Sequence, residues 1–143
     1  MQDAGLTTEE SLEQAQGHVT ALILVTVVYC KENTMSCDDW VTFVGTAFAP
    51  TREAVRGQGA LAAARAAARN MVSSGATGVS ISGDESRAEV RSQWPEEEIL
   101  SVFSVTRDDS DRFLQVFAPI AAHLGLRYEQ TREGEEICMV FAR

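Results

Sequence analysis

Seven of the thirteen residues 60–72 are alanine, the others being Leu61, Arg65, Arg69, Asn70, Met71 and Val72. Such a run has few alternatives to a helix, because alanine gives up no side-chain entropy on entering one. A helix faced with side chains this small can lie close against a sheet or another helix. Its flanks define the setting. Residues 40–49 read as a strand ending at Pro50, with Gly45 inside it marking a bulge or a close backbone approach. Gly57 and Gly59 stand at the helix entry. Ser73, Ser74 and Gly75 close the helix, and a second strand is expected around 79–81.

The rest of the chain extends this pattern. Residues 1–6 are expected to be loose. Thr7 and Glu10 have the spacing of a capping box, which predicts a short helix to about Gln16 that Gly17 ends. Residues 19–30 are dense in Val, Leu, Ile and Thr and read as a strand buried on both faces. At 83–93 the chain turns polar, with a short helix capped by Asp84, and Trp94 and Pro95 close the stretch. Another strand is expected at 99–105. Asp108, Asp109 and Ser110 are N-cap candidates for a helix in which Phe113, Val116, Phe117, Ile120 and Leu124 share one face. Pro119 should kink that helix and Gly125 stop it. Residues 126–130 and 137–142 then form a hairpin around Arg132, Glu133, Gly134 and Glu135.

These elements predict an α+β fold over residues 1–143 as a single domain. The expected core is one mixed or antiparallel sheet of about five or six strands, with two main helices on one face, ferredoxin-like or related.

Charge and cysteine usage narrow the function. The formal net charge is −9, and there is one lysine, Lys31, against eleven arginines. Phosphate contacts come from Lys and Arg, so direct nucleic-acid binding is not expected. Cys30, Cys37 and Cys138 are odd in number and lack metal or redox spacing, as for free thiols in a reducing cytoplasm. Asp3, Glu9 and Glu10 precede any apolar run, which argues against a secretory leader. The apolar run 19–29 is too short to span a membrane.

Two candidate sites stand out. The first is Arg56, Gly57, Gln58, Gly59 and Ala60, where glycines at a helix entry leave backbone N–H groups able to gather around an anion. Positive charge also collects here, with Arg52, Arg56, Arg65 and Arg69 against Glu53 alone in residues 50–75. This segment resembles the acyl-CoA pyrophosphate loop of the Gcn5-related N-acetyltransferases, which carry Arg/Gln-x-x-Gly-x-Gly/Ala between a strand and a helix. The resemblance covers about thirty residues, and Leu61 stands where the family has a small residue. It implies an acyl-CoA-dependent N-acyltransferase in which the N–H groups of 57–60 cradle the pyrophosphate and Tyr128 serves as general acid.

The second candidate is acidic: Glu96, Glu97 and Glu98; Asp108, Asp109 and Asp111; Glu133, Glu135 and Glu136. Together they could present a face to a protein partner with a basic surface. None of these clusters has calcium-loop spacing, so no metal is expected. His18 and His123 sit at element ends, and no Gly-x-Ser-x-Gly, His-Glu-x-x-His or complete phosphate-binding loop occurs. No catalytic residue is therefore assigned and no cofactor is required. The leading expectation is a small acidic non-enzymatic binding protein of inhibitor, immunity or regulatory type. It would dock on a macromolecular partner in the cytoplasm, with homodimerisation through strand edges as a further option. The acyltransferase is the alternative.

Overall fold

The structure, a computed structural model, describes residue 5 and residues 7–143. The expectation for residues 1–6 therefore lies, apart from Gly5, outside the described residues. Three helices come first: α1 (Thr8–Glu32), α2 (Cys37–Phe48) and, after a 3-10 segment (Ala49–Val55), α3 (Ala60–Ser73). A hairpin of β1 (Thr77–Gly83) and β2 (Arg87–Gln93) follows. Then come α4 (Glu97–Phe103), α5 (Arg107–Leu114) and α6 (Phe117–His123), and a second hairpin of β3 (Arg127–Glu133) and β4 (Glu136–Ala142).

The four strands form one antiparallel sheet in the order β1-β2-β4-β3. The two hairpins meet at β2 and β4, paired without a break from Arg87 opposite Ala142 to Gln93 opposite Glu136. Ala88, Val90, Ile137, Met139 and Phe141 point to the helices and share one core with Ala60, Ala63, Ala64, Ala67, Ala68 and Met71 of α3. Glu89, Arg91 and Cys138 alternate to the other face, as the two-residue period of a strand requires. The α+β class and the single sheet hold. The five or six strands do not: four are present, and the ferredoxin-like description fits only as helices covering one face of an antiparallel sheet.

The strand surplus came from helices. Residues 19–30 belong to α1, whose Thr7 cap accepts from Glu10 N–H while Glu10 reaches back to the Thr7 N–H. Its inward residues Thr20, Leu24, Val27 and Cys30 follow a helical period. That period was masked because the outer side carries Val19, Leu22, Val25 and Tyr29, all exposed. Gly17 lies within α1 and ends nothing. Residues 40–49 are likewise helical: Ser36 caps α2 through the Asp39 N–H at 3.1 Å, and Asp38 and Asp39 complement the dipole. Of residues 99–105, 99–103 belong to α4 and Ser104 caps its end, with Glu97 and Glu98 in its first turn. In the other direction, the expected short helix after Asp84 is β2. Asp84 Oδ1 instead closes the β1–β2 turn by accepting from Ser86 N–H at 2.7 Å and Arg87 N–H at 3.2 Å.

The single helix expected over 113–124 is two, broken at Gln115 and Val116. Pro119 lies in the first turn of α6, where its missing N–H costs no hydrogen bond. It packs on α2: a Cβ added at Gly45 would stand 2.3 Å from Pro119 Cγ and 2.5 Å from the Val116 carbonyl oxygen. Gly45→Ala is therefore expected to lower stability by about 1–3 kcal/mol despite alanine's better helix propensity, measured as a fall in urea midpoint at constant slope. Ser92 gives the opposite sign. It is fully buried on the core side of β2, and its hydroxyl has no hydrogen-bond partner among the described residues. Ser92→Ala removes that unpaired group and should be neutral or stabilising by up to about 1 kcal/mol in the same assay.

Candidate functional site

The sheet ends where β2 runs into Trp94 and Pro95, and this junction organises the acidic residues. The β3–β4 turn lies beside it because Gln93 pairs with Glu136, and Glu136 with Glu133. Two acidic segments nearly forty residues apart in sequence, 96–98 and 133–136, thus reach one end of the sheet. Glu96, Glu97 and Glu135 line a cleft of about 290 Å³ together with Thr77, Gln93 and Arg107.

Several of the nine predicted acids are neutralised within the chain. Arg107 donates to Glu97 at 2.5 Å and to the Pro95 carbonyl. Arg91 lies 2.9 Å from Glu136 and 3.6 Å from Glu133. Arg132 makes a forked contact with Asp111 and also donates to the Trp94 and Glu135 carbonyls. The fork geometry suits a guanidinium on a carboxylate, and here it pins β3 to α5.

Asp109 is a structural group too. The cap of α5 is Thr106, and Asp109 is its capping-box partner rather than the cap itself. Lys31 reaches the same carboxylate at 2.7 Å and ties α1 to α5. Glu96, Glu98, Asp108 and Glu135 have no cation within 4 Å among the described residues. The structure brings Glu96 and Glu135 together and adds Thr77, Gln93 and Arg107, which sequence reasoning did not single out. Finding them required knowing that β2 pairs with β4. Asp108, Asp109 and Asp111 sit apart from that cleft on α5.

The segment Arg56 to Ala60 enters α3 as expected, but what precedes it is α2 and the 3-10 segment, not a strand. Gly57 and Gly59 have φ of 79° and 87°, which only glycine adopts readily. The N–H groups of Arg56, Gln58 and Ala60 donate to the carbonyls of Glu53, Val55 and Glu85 at 3.0, 3.1 and 2.9 Å. Gly59 is packed on the β1–β2 turn so closely that a Cβ would lie 2.8 Å from the Glu85 carbonyl oxygen. Arg56 pairs with Glu53 at 3.3 Å. Ala60 and Gly59 seat α3 against the hairpin, while the Arg56 and Gln58 N–H groups close the turn that leads into it. Tyr128, the general acid implied by the acyltransferase likeness, has its one hydroxyl hydrogen between two acceptors, the Leu114 carbonyl at 3.1 Å and Gln130 Oε1 at 2.9 Å, and burial pushes its pKa well above the ordinary phenol range.

Among the described residues no group of three or more His, Cys, Asp and Glu could hold a metal ion, and the cysteines are free. No helix among them is long and apolar enough to cross a membrane. No protein-family model matches the chain, and no curated protein matches its sequence.

Asp109 generates a pH prediction. Burial pushes its pKa up, but hydrogen bonds from Lys31 and Thr106 outweigh that and hold it below the ordinary 3.8. A carboxyl lowered on folding stabilises above its unfolded pKa, and the contribution disappears as pH falls through the folded value. Asp109→Asn should cost about 1 kcal/mol at neutral pH, and the gap to wild type should close in acid, read from urea melts across pH. A gap of constant size would mean that the charge is not what stabilises.

Proposed function

We propose that this chain is a small non-enzymatic binding protein, of inhibitor, immunity or regulatory type, that docks on a protein with a basic surface. What supports the reading is the pairing of β2 with β4, which gathers Glu96, Glu97 and Glu135 around one cleft at the end of the sheet. The arginines here leave Glu96 and Glu135 unopposed, while Glu98 adds a further unpaired acid on the same segment. A field of one sign, held on a rigid hairpin and the start of α4, speeds association with an oppositely charged surface and excludes like-charged ones. The paired acids in the same region serve a different end, since Arg91, Arg107 and Arg132 fix the geometry on which the unpaired ones stand. A reducing, cytoplasmic setting fits this reading, because Cys30, Cys37 and Cys138 are all unbridged.

The triple variant Glu96→Lys, Glu98→Lys, Glu135→Lys tests it. These side chains make no ion pair in the fold, so stability in thermal melting should fall only by what Glu96 and Glu98 contribute at the start of α4, about 1–2 kcal/mol together. Affinity capture from the native cell extract, quantified with wild type and variant side by side, should recover a basic protein with wild type. Recovery should drop at least ten-fold with the variant, and wild-type recovery should fall as salt is raised. Equal recovery by both forms, or capture that salt does not weaken, would sink the proposal.

A further inference from the structure

A second hollow of about 270 Å³ lies among α1, α2, α3 and the α5–α6 pair, and it shares no residue with the acidic cleft. Its floor is buried and apolar, with Met71, Trp94, Leu114 and Phe117. Its mouth is apolar and open, with Val19 43% and Phe48 55% exposed. Most polar groups in the wall are already used. The Ser74 carbonyl accepts from Trp94 Nε1 at 3.0 Å and Thr20 Oγ1 at 2.6 Å, and Ser73 Oγ donates to the Arg69 carbonyl.

Arg52 and Asn70 are the exception. Half-buried Arg52 donates through Nη2 to Asn70 Oδ1 at 2.8 Å. No carboxylate lies within 4 Å of its guanidinium among the described residues, in a chain with 21 acidic side chains. Because the Asn70 oxygen is taken by Arg52, its amide NH₂ remains as a donor. The Arg52–Asn70 pair therefore presents donors to the hollow, and one of them carries a full positive charge. A partly desolvated guanidinium with N–H groups to spare favours a carboxylate, with which it forms short charge-assisted bonds. The apolar walls favour an aliphatic or aromatic body. The volume equals about nine waters at their liquid density, room for a tail of roughly that many carbons.

We propose that this hollow binds a small amphipathic carboxylate, with the carboxylate on Arg52 and Asn70 and the apolar tail against Trp94 and Phe117. Neutral molecules of the same shape would leave the guanidinium unused, and cationic ones would meet repulsion. The inference is independent of the docking reading, since it needs neither the acidic cleft nor a macromolecular partner.

The test is isothermal titration of the full chain with decanoate, below its micelle concentration, against decanol as the matched neutral probe. Decanoate should bind one to one and at least ten-fold more tightly than decanol. Arg52→Met, which keeps the bulk and removes the charge, should bring decanoate down to decanol's affinity and leave decanol unchanged. Val44→Phe, which fills the hollow from α2, should abolish both. Should that variant fail to fold, the decanoate-to-decanol ratio in wild type and Arg52→Met decides alone. Equal affinities for the two probes in wild type, or a decanoate affinity that Arg52→Met does not change, would overturn the proposal. So would absence of binding by either probe. A dimer in light scattering that Phe48→Ser dissociates would also overturn it, because the mouth would then be covered by a second copy of the chain.

Discussion

The hydrogen bond from the Trp94 indole to the Ser74 carbonyl is the contact on which the rest of the molecule hangs. Trp94 follows the last residue of β2 and is 2% exposed. Its Nε1–H donates to the carbonyl at the C-terminal end of α3, where Thr20 of α1 also donates. Its own carbonyl accepts from Arg132 of β3. Its ring lies 6.0 Å from Phe113 of α5, which in turn stacks near Trp40 of α2. One residue thus joins both hairpins and three helices, and through Phe113 a fourth. A buried indole N–H requires a partner, and the carbonyl at the end of α3 supplies it while the ring stays against the helices. The acidic cleft begins at the next residue, and the apolar hollow has the indole as part of its floor.

The alanine face of α3 works with this anchor. Ala60, Ala63, Ala64, Ala67 and Ala68 are buried and let the helix lie low on β2. The first two helices do not lie on the sheet in this way: α1 packs mainly on α4 and α5, and α2 on α5 and α6. The hollow between them is lined by residues the helices contribute from their edges. Charge follows a related division. Cations placed between elements (Lys31, Arg91, Arg107, Arg132) each meet an acid on another segment and tie the fold together. Among the charges left without an ion pair in the described residues are Glu96 and Glu135 at the end of the sheet and Arg52 at the hollow.

The sequence was most legible where one local signal acted alone. Alanine propensity marked α3, glycine-bounded alternation marked β3 and β4, and the Thr7–Glu10 pair marked the start of α1. It misled where two signals overlapped. The apolar run 19–30 carries a core-facing helical stripe and an exposed outer stripe at once, so it lost its period and looked like a strand buried on both faces. Ser36 with Asp39 was the available correction for α2, since a cap followed by first-turn acids does not open a strand. Residue β-propensity in 99–105 yielded to the acids ahead of it, which favour a helix start. Small inward residues hid β2, because Ala88 and Ser92 do not register as an apolar face. The candidate sites were harder for a different reason. Glu96 and Glu135 become neighbours only through the β2–β4 pairing, and Arg52 meets Asn70 only through the turn before α3.

The strand order has a consequence for how the fold is completed. The inner seam of the sheet joins β2 to β4, and β4 is synthesised after every other element described here. Until it arrives, β2 has one bare edge and α3 has only half a sheet beneath it. The inward side chains Ile137, Met139 and Phe141 come as the closing wedge. Neither hairpin with its helices can be a foldon of full stability, because each would expose hydrogen-bonding groups along its inner strand. Folding is thereby bound to contacts of long sequence separation, the topology that pays loop-closure entropy before it is rewarded. A nascent chain of this design spends its waiting time with an adhesive strand edge, and it is this interval, rather than the finished surface, that a chaperone would have reason to guard.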